Sequence, residues 1–300
     1  MKKIVIITGL TASGKSGLAI KIAKEFNGEI ISADSVQIYK GLNIGSAKDP
    51  ETNRQGIKHH LIDIKEPTET YNVGDFITDC KEAINQIISK GKLPIIVGGT
   101  GLYIKALLEG YSLGGAEANQ EFRETYQKLA EEHGKEYVWN ELYKLNPEKA
   151  NSVHFNNIKR VIRYLEIEKF GEQTQKTESI LKDFDVYSVG IIADREEIYN
   201  KINYRVEKMI FDGLEHEVKA LVDAGITEDM QSVTSIGYRE WFDYFAGKTD
   251  LIETIDLIKQ HTRNYAKRQL TFLKTINNIN LLDIQTAEIK IRSFLNDRNI

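Results

Sequence analysis

Short apolar runs alternate with stretches of helical period through the first hundred residues. Ile4-Val5-Ile6-Ile7 is continuous enough for a buried strand, and Leu18, Ile22 and Ala23 recur at helical spacing across 15–26. Glu29-Ile30-Ile31-Ser32 predicts a second strand and Leu61-Ile62-Asp63-Ile64 a third. Residues 72–89 place Phe76, Cys80, Ala83, Ile84 and Ile87 on one helix face. Pro94-Ile95-Ile96-Val97 then runs as a strand into Gly98-Gly99. This alternation predicts an α/β core whose parallel sheet is covered on both faces.

From 112 to 185 the pattern turns helical without a strand signal. Phe122, Tyr126 and Leu129 share one face, and Val161, Ile162 and Leu165 another. Tyr187 to Ile192 reads as a return to the sheet. The expected organisation is therefore an α/β core made of 1–111 and 186–300, with an all-helical insertion over 112–185. The last third predicts helices at 195–224, about 250–275 and from 286.

Composition narrows the class. With 41% hydrophobic and 28% charged residues the chain is an ordinary globular one, and its four prolines favour long helices. Cys80 is the single cysteine, which excludes an intrachain disulfide or a cysteine metal cage. No apolar run approaches the ~18 residues of a membrane span, and the apolar stretch after Met1 stops at Gly9, too short for a secretory signal. A cytoplasmic location, no membrane and a monomer are the expectations. A net charge of −4 requires any nucleic-acid partner to meet a local basic surface.

Gly9-Leu10-Thr11-Ala12-Ser13-Gly14-Lys15-Ser16 satisfies G-x-x-x-x-G-K-[ST] between a predicted strand and a predicted helix. Glycines let successive N–H groups point into one cavity, Lys15 sets a cation over a diphosphate, Ser16 is a ligand for Mg²⁺, and the helix directs its positive end at the anion. With Gly near ~7% of residues, a chance match in a chain of this length is roughly one in a hundred, which favours a site over an idle turn. The motif leaves open whose diphosphate is bound and permits ATP. The strand ending in a carboxylate is the second, at Asp34, whose end opens beside the loop; a turn-capping aspartate is the plain alternative.

Several segments together resemble one family, tRNA dimethylallyltransferase (tRNA isopentenyltransferase). Its loop reads GPTASGK[ST], from which GLTASGKS departs only by Leu10 for Pro. Asp34-Ser35-Val36-Gln37-Ile38-Tyr39-Lys40-Gly41 matches DSxQIYKG. Ile44-Gly45-Ser46-Ala47-Lys48, His59-His60-Leu61-Ile62-Asp63, Gly98 to Tyr103, Ser235 to Glu240 and Arg263-Asn264-Tyr265-Ala266-Lys267-Arg268-Gln269 resemble further signatures. The resemblance covers residues 3 to about 274; without the zinc-finger tail of eukaryotic relatives, it is to the bacterial form.

The resemblance implies a P-loop, nucleotide-kinase-like core with a helical insertion that clamps tRNA. It implies transfer of the dimethylallyl group from dimethylallyl diphosphate to N6 of adenosine 37 in the anticodon loop, with Mg²⁺. Lys15, Thr11 and the rest of the loop would hold the diphosphate. Asp34 would take the N6 proton, a role worth ~10²–10⁴ in rate. Arg205 matches a diphosphate-binding arginine, although alone it reads as a charged helix face. Thr100 matches a contact to the extruded adenosine, its alternative being a helix cap. Ser35, Val36 and Gln37 would line the base pocket. His59 and His60, with no visible carboxylate partner, read as structural.

Two basic clusters suit phosphate. Lys259, Arg263 and Lys267 recur every four residues, and no acid falls between Lys259 and Lys274. Lys159, Arg160 and Arg163 lie in the insertion opposite its apolar side, and Arg123 and Lys159 match tRNA contacts in the family. Each could equally be a solvated face. Two other classes stay open, a small-molecule or nucleotide kinase on the same core and a P-loop RNA-binding switch.

Overall fold

The computed structural model describes residues 1–111, 119–171 and 177–297. Six parallel strands form one sheet: β1 (Lys3–Gly9), β2 (Gly28–Ser32), β3 (His59–His60), β4 (Leu93–Gly98), β5 (Asp185–Ile191) and β6 (Asn280–Leu282), in the order β3-β2-β4-β1-β5-β6. Val5, Ile7, Ile30, Ile95, Val97 and Ile191 pack with the inner sides of α1 (Lys15–Glu25) and α12 (Ile284–Asn296). Ile4 and Ile6, which alternate with them, are fully buried too, so both faces of the sheet are covered. The α/β core with a parallel sheet is thus present.

α2 (Val73–Ser89) packs on β2 and β4. Asn72 opens it with a reciprocal capping box to Asp75. α3 (Gly101–Glu109) follows β4, and the rings of Phe76 and Tyr103 stack at 4.2 Å. α8 (Arg195–Phe211) and α9 (Leu214–Asp223) replace the single helix expected over 195–224. Gly213, at φ 98°, breaks the run. α10 (Glu240–Phe245) and α11 (Leu251–Leu273) complete the C-terminal part.

One strand expectation is corrected and one strand is added. Leu61 and Asp63 adopt left-handed φ values of 60° and 55°, so 61–64 is a bent loop; the strand pairing with Ile30 and Ile31 is His59–His60. Asn280–Leu282, too short to show periodicity, forms the sixth strand beside β5.

The chain divides into two compact units, Met1–Glu109 with Ser179–Ile300, and Gly110–Glu178. Residues 179–185, expected in the insertion, go with the first unit: Ser179 Oγ donates to Leu107 O, Leu181 is buried, and Asp185 opens β5. The second unit holds α4 (Gln120–His133), α5 (Lys135–Leu145), α6 (Pro147–Asn151) and α7 (Ile158–Phe170) around Tyr126, Val138, Leu142, Val161 and Leu165. Among the described residues no helix is long and apolar enough to cross a membrane.

Candidate active site

The phosphate loop leaves β1 at Gly9, whose φ is 144°. A Cβ there would meet Ile191 O at 2.4 Å, so only glycine fits against β5. Leu10 turns into an apolar cluster with Ala12, Ile198, Ile202 and Ala266. The Ser13 side chain is buried. Gly9, Leu10 and Ser13, expected among the ligand-binding residues, thus shape the loop from beneath, whereas Thr11, Ala12, Gly14, Lys15 and Ser16 line a cavity of about 560 Å³. Lys15 Nζ reaches back to Leu10 O at 3.2 Å. Burial, and then the neighbouring Arg205 charge, lower its pKa to about 8, with Asp34 and Asp49 pulling the other way.

Arg205 comes from α8, 190 positions beyond Lys15, and its Nη1 donates to Thr11 Oγ1 at 3.2 Å. Burial depresses its pKa. Two cations held together out of water with few acids between them form a site that favours a polyanion.

Across the cavity, Asp34 follows β2. Its Oδ1 accepts the N–H groups of Val36 (2.9 Å) and Gln37 (3.3 Å), so the turn-capping role is present, and it fixes a carboxyl group that also lines the cavity. Gly98 permits this approach: a Cβ there would lie 2.0 Å from Ala33 O. Thr100 Oγ1 accepts Ser35 N–H at 3.1 Å, a bond to the neighbouring loop in place of the side-chain helix cap considered above. Gln37 lines the cavity, but its amide is already engaged, accepting from Ser32 Oγ at 3.2 Å and donating to Ser46 and Ala47 carbonyls. A free adenine-reading amide at Gln37 is therefore not what the structure presents.

The structure brings in further residues. Asp49, which the sequence did not nominate, lines the same cavity, and so does Arg268, expected only to extend the basic stripe. Glu217 of α9 accepts backbone N–H groups from Asn43 (3.0 Å), Ile44 (2.8 Å) and Gly45 (3.1 Å), while Tyr238 donates its hydroxyl to Glu217 at 2.7 Å and accepts Ser46 N–H at 3.1 Å. This clamp holds a loop that forms one wall of the cavity. Its signal was partly visible, since Gly45-Ser46 and Gly237-Tyr238 both fall in the quoted motifs; Glu217 lies in neither.

The histidines divide. His60 Nε2 meets the buried Glu29 carboxylate at 2.7 Å, a partner hidden from sequence because it sits on β2. His59 lines the cavity, and burial pushes its imidazole below the ordinary pKa.

The basic residues are less free than their spacing suggests. Lys259 pairs with Glu207 of α8 at 2.8 Å, an acid supplied from outside the acid-free stretch 259–274, and Arg263 donates to Asn203 Oδ1 at 2.7 Å. Lys267 is exposed over the Tyr199 ring. In the helical unit Arg123 grips the fully buried Glu166 carboxylate through two bonds of 3.0 and 2.8 Å, and Arg163 joins on the same group. Arg123 and Arg163, expected as tRNA contacts, are thus both engaged with Glu166 in this structure. Arg160 lies against Tyr164, and Lys159 is exposed.

A cavity with a cationic phosphate loop on one side and a carboxylate beside a hydroxyl on the other suits displacement of a diphosphate. The family described as IPP transferase matches residues 37–276. A tRNA dimethylallyltransferase of Enterococcus faecalis is 46% identical over 279 residues, covering 91% of this chain and 89% of that protein. One from Bacillus mycoides is 44% identical over 292 residues, covering 96% and 92%. This chain belongs to the IPP transferase family. The crystal structure of a full-length tRNA isopentenylpyrophosphate transferase from Bacillus halodurans superposes with a TM-score of 0.73 at 38% identity, over 98% of this chain and 96% of that one. A eukaryotic dimethylallyltransferase described as acting on tRNA gives 0.77 at 28% identity, over 98% and 78%. Membership in the IPP transferase family gives the two sides of the cavity a common purpose.

Proposed function

We propose that the protein transfers a dimethylallyl group from dimethylallyl diphosphate to N6 of adenosine 37 in a tRNA anticodon loop. The observation that carries this is the shared cavity: Lys15, Thr11 and Arg205 face it from the phosphate-loop side, and Asp34 and Thr100 from the side of β2 and β4. Lys15 and Arg205 bind the diphosphate and stabilise the charge that grows as the allylic C–O bond breaks. Ile62, Val97, Val206, Met209 and Ile258 supply apolar wall for the five-carbon tail. The N6 lone pair forms the new C–N bond, the diphosphate leaves with the bonding pair, and Asp34 accepts the N6 proton. Extrusion of the base brings N6 within reach of that carboxylate.

Ser16 faces the cavity with Asp49, oxygen donors of the kind Mg²⁺ shares with phosphates and water. When bound there, Mg²⁺ would neutralise charge on the diphosphate. Among the described residues no cluster of three or more His, Cys, Asp or Glu offers a fuller cage. Lys267 and Arg268 on the core, and separately Lys159 in the helical unit, are exposed cations that this reading assigns to RNA phosphates.

Incubation with tRNA and dimethylallyl diphosphate labelled in the prenyl group tests the reading. Label in RNA at the anticodon-loop adenosine is expected, with diphosphate released in equal amount. Transfer of a γ-phosphate from ATP to a small molecule, with no label in RNA, would favour the kinase instead.

A further inference from the structure

Gln269 stands on α11 almost wholly buried, at 7% exposure, and does not itself line the cavity. Its carboxamide bonds in two opposite senses. Oε1 accepts the backbone N–H of Thr11 at 2.8 Å, and Nε2 donates to Gly99 O at 3.0 Å. The first partner belongs to the loop after β1 and the second to the loop after β4, which are adjacent strands. Each loop carries one half of the chemistry. Thr11 receives Arg205 on its hydroxyl, and Gly99 precedes Thr100, which holds Ser35 beside Asp34.

We propose that Gln269 is a positioning residue whose single carboxamide sets the spacing between the leaving-group half of the site and the acceptor half. The proposal rests on the prenyl transfer argued above. The fit is specific to an amide. A carboxylate keeps the acceptor for Thr11 but cannot donate to Gly99, and methionine fills the volume with neither function. Packing leaves no slack, since a Cβ on Gly99 would lie 2.7 Å from Nε2. Tyr265 adds a second donor to the same carbonyl at 3.2 Å, so Gly99 O is held from two positions on one helix. Reacting groups on separate loops need this, because a misplacement of about 1 Å costs on the order of 10²-fold in rate.

The test compares full-length wild type, Gln269→Met and Gln269→Glu in steady-state transfer to tRNA, with amide hydrogen exchange read at Thr11. Gln269→Met is expected to lose about 10²-fold in kcat with both KM values held, and to exchange the Thr11 amide faster. Gln269→Glu should keep the Thr11 amide protected yet lose kcat as well, since Gly99 O then keeps only the Tyr265 bond and faces a carboxylate oxygen. A kcat equal to wild type in either variant, or a loss confined to KM, would overturn the proposal. Should Gln269→Met fail to fold, Gln269→Glu decides by the same readings. If wild type itself puts no label into RNA, the prenyl-transfer reading fails separately, and unchanged Thr11 exchange in Gln269→Met would then overturn the bridge.

Discussion

Thr100 Oγ1 accepts the backbone N–H of Ser35 at 3.1 Å, tying the loop after β4 to the turn that presents Asp34. Because the Asp34 carboxyl caps the same turn through Val36 and Gln37, the orientation of the candidate base depends on both contacts. Thr100→Val keeps the shape and deletes the acceptor. We expect kcat for prenyl transfer to fall by ten-fold or more, within the ~10² of a 1 Å misplacement, and Thr100→Ser to recover most of it. Equal activity in the valine variant, measured by single turnover, would detach this bond from the chemistry.

Lys15 carries a pKa lowered to about 8 by burial and then by Arg205. The charged form therefore prevails below pH 8 and is lost as pH rises through it, and an anionic diphosphate prefers that form. The profile of kcat/KM for dimethylallyl diphosphate should bend down near pH 8, since this ratio reports the free enzyme. Diphosphate binding above pH 8 should take up a proton, measurable by calorimetry in buffers of different ionisation enthalpy. Lys15→Arg, which keeps its charge, should lose the bend even if its rate is lower. A profile flat to pH 10 in the wild type would rule out Lys15 as the titrating group.

Arg123 is bound to Glu166, whose carboxyl group is fully buried and also receives Asn119 N–H at 2.7 Å. Arg123→Gln removes one charged partner while Arg163 and the amide remain. The expected cost is roughly 1–3 kcal/mol in urea unfolding of the full chain, with part recovered by adding Glu166→Gln. RNA affinity should keep its salt dependence. Unchanged stability together with a shallower salt slope would return Arg123 to the RNA surface.

Lys267 differs because it is exposed and, among the described residues, pairs with no acid. Lys267→Gln should lower the slope of log K against log salt for tRNA by about 0.7–0.9, the share of one phosphate contact. Stability should stay within about 0.5 kcal/mol, as for other surface changes. A slope identical to wild type would leave this residue as solvated surface.

What could be read from sequence follows from how local each signal is. Lys15 was legible from the fixed spacing of the phosphate-loop motif, and Asp34 because it ends a short apolar run where a parallel sheet opens. Arg205 needed the family resemblance, since nothing in 195–211 shows that α8 reaches Thr11. Gln269 and Glu217 lay beyond reach in a different way: their partners are backbone groups of Thr11, Gly99 and the 43–45 loop, which leave no side-chain pattern. Leu61-Ile62-Asp63-Ile64 has strand composition, but its conformation is decided by two left-handed residues that hydrophobicity does not encode. Arg123 and Arg163 gave no sign of being paired because Glu166, their common partner, is buried by tertiary packing.

Asp34→Asn separates chemistry from recognition. The amide oxygen can still accept from Val36 and Gln37, so the turn, the Thr100–Ser35 bond and the cavity wall should persist. The NH₂ group then replaces the carboxylate oxygen that takes the N6 proton, and an amide accepts no proton at neutral pH. The single-turnover rate should fall by ~10²–10⁴, while tRNA affinity, diphosphate affinity and the thermal midpoint stay near wild type. A fall of less than about ten-fold would mean that the proton leaves by another route, such as a diphosphate oxygen, because general-base catalysis ordinarily contributes at least ~10². A collapse of tRNA binding in step with the rate would make Asp34 a recognition residue first. Rate and affinity measured on one preparation distinguish these outcomes, since only loss of the base lowers the first and spares the second.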